Sequence, residues 1–157
     1  MSRVLIIGYG NPLRRDDGVG WHIAHALRAK NSAEDVEILA CYQLTPDLAE
    51  PLSRAQRAIF VDATVDTTHG DLYVQTISAN GAVSPRFSHH VTPQTLLAQA
   101  NAWYGSGPRV AYLVSVCARD TGLGENLSAR VAKILPLALR EVNWLCAATR
   151  EPNLSKA

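Results

Sequence analysis

The apolar run Val4-Leu5-Ile6-Ile7 stops abruptly at Gly8-Tyr9-Gly10-Asn11-Pro12, and an amphipathic stretch follows. No other feature restricts the chain as much. A short run without polar alternation predicts a strand covered on both faces, as in a parallel sheet. The glycine and proline cluster ends that strand. Val19, Ile23, Ala26 and Leu27 then recur at helical spacing and predict a helix from about Gly18 to Lys30. Strand, loop and helix in this order open an alternating α/β fold.

The rest of the chain repeats the alternation. Further strands are predicted near Val36–Cys41, Ala58–Val61, Asp71–Ile77 and Val110–Val116. In the fourth, Leu72, Val74 and Thr76 alternate against Tyr73, Gln75 and Ile77. Thr45-Pro46 and Thr92-Pro93 each place a capping residue before a proline at the first helical position. The first opens a helix with Leu48 and Leu52 inward, the second one with Leu96, Leu97, Ala100 and Trp103 inward. Ser128 caps a last helix whose Val131, Ile134, Leu135, Ala138 and Val142 form an apolar stripe, bent at Pro136. The pattern predicts a three-layer α/β sandwich, a mostly parallel, roughly five-stranded twisted sheet with helices on both faces. It is read as one domain over residues 1–148, followed by a polar tail over 149–157.

Composition narrows the function. With 47% hydrophobic and 18% charged residues the chain can form a core, and a net charge of +1 supplies no field for nucleic acid. No stretch approaches the roughly 20 apolar residues of a membrane span. Cys41, Cys117 and Cys146 form no close pair, which points to reduced thiols in the cytoplasm. Cys117 and Cys146 read as small buried residues, while Cys41 is left between surface and site edge.

In open α/β sheets ligands bind beyond the carboxyl ends of the strands. The first loop, Gly8 to Gly20, starts like a dinucleotide fingerprint but lacks the third glycine, and Pro12 removes a donor. Its Asp16 and Asp17 favour a cation over a pyrophosphate, although either could simply cap the following helix. Asp62 ends the third apolar run and is either a turn-former or a ligand, with Asp66 a more exposed substitute. His89 and His90 precede the Thr92 cap. One imidazole and two carboxylates form a donor set suited to Zn, Ni or Mn, whereas either histidine alone could be a solvated loop side chain. His22, His25 and His69 read as structural or exposed. No serine or cysteine stands in a nucleophile-elbow setting, which disfavours a covalent hydrolase.

The stretch from Gly8 to Gly20 resembles the N-terminal signature of the hydrogenase maturation proteases, the endopeptidases that trim nickel-iron hydrogenase large subunits. The resemblance continues through Gln43–Glu50, Phe60–Ala63, Ser88–Pro93 and Leu123–Ser128, and so spans nearly the whole chain. It implies catalytic and metal-recognising roles for Asp17, Asp62 and His89. It further implies that the large-subunit precursor brings its own nickel, so that no organic cofactor is needed. Cleavage would remove a short C-terminal peptide. Asp16 is a candidate base for a metal-bound water. A noncatalytic nickel-binding escort for the same subunit is the competing expectation, and nucleotide binding by the first loop a third.

Overall fold

The computed structural model describes residues 3–79 and 91–147. Five strands, β1 (Val4–Tyr9), β2 (Val36–Cys41), β3 (Arg57–Thr64), β4 (Leu72–Ile77) and β5 (Val110–Cys117), form one sheet in the order β2-β1-β3-β5-β4. All neighbours are parallel except β4, which runs antiparallel to β5. The helices are α1 (Val19–Lys30), α2 (Ala49–Arg54), α3 (Pro93–Tyr104) and α4 (Ala129–Ala147). The predicted α/β architecture is the one observed; the tail over 149–157 lies outside the described residues.

Strand parity builds two cores. Val4 and Ile6 of β1 join Ile59 and Val61 of β3 beneath α1 and α4. Leu5 and Ile7 join Ala58 and Phe60 beneath α2 and α3. Every residue of the opening run is therefore buried, on alternating faces, which is why the run shows no polar alternation. The chain leaves β1 for β2 on one side, then crosses to β3 on the other. The topological switch point therefore lies between the carboxyl ends of β1 and β3.

Some elements differ from expectation. β3 continues beyond Val61 through Asp62, Ala63 and Thr64, because β5 still offers Ser115, Val116 and Cys117 as partners. Ile77, not Thr76, is the buried end of β4: Leu72 and Val74 pack toward one core and Ile77 toward the other. Trp103 stands in the last turn of α3 and is 57% exposed. Thr45 makes no side-chain cap, and Pro46–Leu48 is a 3-10 turn before α2. Thr92 does cap α3, its Oγ1 accepting from the Thr95 amide at 3.1 Å. Cys117 is buried as expected, whereas Cys41 and Cys146 are half-buried.

Candidate functional site

The first loop folds back on the sheet through its glycines. A side chain at Gly20 would collide with the backbone of Val61 and Tyr9. Gly10, at φ 143°, lies directly against the Asp17 carbonyl. These glycines serve backbone contact between loop, helix and strand, not an open phosphate cradle. The dinucleotide reading loses its basis.

Asp16 and Asp17 then part. Both lie in the 3-10 turn Arg15–Gly18, and neither caps α1, whose N-cap is Gly18. Asp16 turns inward and is fully buried. Its Oδ2 accepts from the amides of Arg119 at 2.8 Å and Asp120 at 2.9 Å and from Ser128 Oγ at 2.7 Å. Its Oδ1 accepts from the Ser128 amide at 2.7 Å. Burial alone would push its pKa up, but the bonds from Ser128, Arg119 and Asp120 outweigh it and hold the group below the usual carboxylate range. A carboxylate already engaged by four donors has little basicity left for a water, so the structure corrects the candidate base: Asp16 pins the first loop to the segment entering α4.

Asp17 is half-buried, and its Oδ2 accepts from the Asn11 amide at 2.9 Å. Asp62 is also half-buried, on the α2/α3 face of the sheet with Tyr9 and Ser115. Tyr9 Oη donates to Asp62 Oδ2 at 3.0 Å, and Ser115 Oγ donates to Oδ1 at 2.9 Å. Burial raises the Asp62 pKa to about 6; the Ser115 and Tyr9 bonds oppose the rise and the nearby Asp17 charge adds to it. Burial and Asp62 likewise push the Tyr9 phenol well above its ordinary value, so it remains a donor. Two of roughly four carboxylate lone-pair positions on Asp62 are filled, which leaves acceptor capacity to spare. Asp17 and Asp62 thus bring two half-buried carboxylates close enough for the charge of one to act on the other.

Solved structures were compared with this fold. The hydrogenase maturating endopeptidase HybD from E. coli superposes with a TM-score of 0.68 at 24% identity, over 89% of each chain. A NiFe hydrogenase maturation protease, HycI from Thermococcus kodakarensis, gives 0.70 at 21% over 94% of each. A hydrogenase 2 maturation peptidase from a Thaumarchaeota archaeon gives 0.69 at 22%, over 93% of this chain and 99% of that one. The fold is that of the hydrogenase maturation endopeptidases. No protein-family model and no curated protein sequence matches the chain.

Within this maturation-endopeptidase fold, the structure brings Asp17 and Asp62 to one crevice. His89 and His90 lie outside the described residues, and among the described residues no group of three metal-ligating side chains occurs. Topology nevertheless alters the argument for them. Because β4 is antiparallel, the chain leaves it at the edge of the sheet opposite the crevice. α3 leads down into the start of β5, so its Thr92 end stands on the crevice side, and its buried face joins the core below Asp62. Asp66 is engaged by the amide of Thr68 at 2.9 Å in a turn. His69 stacks on Tyr73 at 4.0 Å and, with Thr64, Gln75 and Ser115, lines a cavity of about 280 Å³. His22 and His25 contact Trp21 on α1, and burial and the His25 charge lower the His22 pKa. Sequence reasoning missed Tyr9 and Ser115. The parity of the strands was the available signal, since Asp62 and Ser115 are register partners.

Proposed function

We propose that the protein is a hydrogenase maturation endopeptidase that removes a short C-terminal peptide from a nickel-loaded large-subunit precursor in the cytoplasm. The observation that carries the reading is the Asp17–Asp62 pair at the switch point of this fold, with Asp62 oriented by Tyr9 and Ser115 and with acceptor capacity to spare. The likeness to HybD and HycI supports it. A nickel ion held on the precursor would relieve the repulsion between Asp17 and Asp62, so recognition favours a loaded substrate over an empty one. His89 is the proposed third contact, on the stretch entering the Thr92-capped helix α3. Nickel is thus cargo, and Tyr9 and Ser115 act as positioning residues that fix the Asp62 carboxylate plane. The cavity lined by Thr64, Gln75 and Ser115, whose Ser115 bonds Asp62, is the proposed path of the substrate chain.

The test mixes the protein with nickel-loaded precursor and follows the precursor's intact mass. Loss of one C-terminal peptide is expected with wild-type protein, and not with nickel-free precursor or Asp17→Asn protein. Nickel-dependent complex formation without peptide release would replace the protease reading with the escort reading.

A further inference from the structure

Four of the eight large hydrophobic side chains exposed among the described residues lie in loops at the carboxyl-end edge of the parallel strands, the edge that carries Asp17 and Asp62: Leu13 at 55%, Tyr42 at 65%, Val65 at 81% and Leu123 at 82%. Each follows a different parallel strand, β1, β2, β3 and β5 respectively, so all four parallel strands contribute one at that edge. Two of the loops are tied together. The Gly124 amide donates to the Leu13 carbonyl at 2.9 Å and the Arg15 amide to the Gly124 carbonyl at 2.9 Å. Arg14 Nε reaches the Thr121 carbonyl at 3.3 Å, and the buried Asp16 anchors the base of both loops. Leu13 and Leu123 are therefore held out by a bonded frame and do not collapse inward.

We infer that Leu13, Tyr42, Val65 and Leu123 form an apolar collar that docks the folded body of a cation-carrying protein substrate around the carboxylate pair. The inference rests on the maturation-endopeptidase reading and extends it to how the partner is gripped. The charge of the site decides between occupants. A free aquated cation needs only the two carboxylates and gains nothing from apolar loops. A cation fixed in a protein brings surrounding surface, and that surface must cross the rim before the cation reaches Asp17 and Asp62. Apolar area on four loops supplies the desolvated contact, and the central acids supply charge complementarity.

The test measures nickel-loaded precursor in two ways, equilibrium binding and steady-state processing, with the Leu13→Ser/Leu123→Ser double variant, Tyr42→Ser, and Leu137→Ser on the outer face of α4 as a control. All sites are exposed, so urea midpoints should stay close to wild type. The double variant is expected to raise Kd and KM about tenfold or more with kcat held, Tyr42→Ser severalfold, and Leu137→Ser not at all. Unchanged Kd and KM in the double variant would overturn the collar. If the wild type binds precursor but releases no peptide, loss of binding in the double variant upholds the collar while the protease reading falls. A wild type that does not bind the precursor overturns both.

Discussion

Asp16 and Asp62 are carboxylates reached from neighbouring strands of one sheet edge, yet the protein treats them oppositely. Asp16 is buried and receives four hydrogen bonds from a segment more than a hundred residues away. Asp62 receives two, from Tyr9 and Ser115, and faces a second carboxylate. The pKa values follow the count: bonding holds Asp16 below the ordinary range, while burial and Asp17 raise Asp62 to about 6. How many lone pairs the protein itself fills separates a carboxylate committed to structure from one with acceptor capacity to spare.

The largest effect should come from breaking the filled site. Asp16→Asn replaces acceptors with an amide whose N–H groups face the donors of Arg119, Asp120 and Ser128, and a loss of about 3 kcal/mol or more is expected in urea unfolding. Asp62→Asn should do the reverse. Processing of precursor should fall about a hundredfold or more, since even groups that merely support a metal-binding carboxylate are worth about ten- to a hundredfold. Stability at pH 7 should hold or rise: an acid whose folded pKa exceeds its unfolded value weakens the fold once pH passes the unfolded value, and the neutral amide removes that penalty. If Asp62→Asn unfolds as readily as Asp16→Asn, the contrast is wrong.

The two sites were not equally readable. The opening run Val4–Ile7 and the loop glycines are local signals, and they gave the strand, the turn and the helix that carry Asp17 to the edge. Asp62 was visible because it interrupts an apolar run, although β3 continues past it on the strength of pairing with β5. The inward turn of Asp16 was not visible. Its partners Arg119, Asp120 and Ser128 meet it only after β5 and α4 are in place, and adjacent aspartates look alike until then. Tyr9 and Ser115 were hidden for the same reason, each lying 53 residues from Asp62. Trp103 fitted the helical spacing, but spacing says nothing about where a helix outruns the surface it covers.

A finer test asks whether the open site is oriented by its two donors. Tyr9→Phe removes one bond to Asp62 without changing the ring, and about a tenfold loss of processing is expected. In a double-mutant cycle with Asp62→Asn the losses should not add, because the phenol acts only through that carboxylate. Ser115→Ala should behave alike. Full additivity would show that Tyr9 reaches the substrate by itself, and the two-donor account of Asp62 would fail.

The smallest effect concerns a third carboxylate that sharpens the contrast. Asp71 accepts from Arg119 at 2.8 Å and from Arg130 at 2.8 Å, joining the start of β4 to α4 at the surface. The Arg130 bond foremost, then that of Arg119, hold its pKa below the usual carboxylate range. Both Asp71 and Asp16 therefore add stability at pH above the unfolded carboxyl value, and both lose it as pH falls through the folded one. Salt should distinguish them. The Asp71 pair is exposed to solvent, so the small deficit of Asp71→Asn at pH 7 should shrink in 1 M salt, where charges are screened within about 3 Å. The deficit of Asp16→Asn should persist, because its carboxylate is buried and its donors are uncharged amides and a hydroxyl. Urea midpoints of both variants at low and high salt give the comparison. A deficit at Asp16 that fell as steeply as that at Asp71 would mean solvent reaches the filled site, and the division between a structural and an open carboxylate would lose its physical basis.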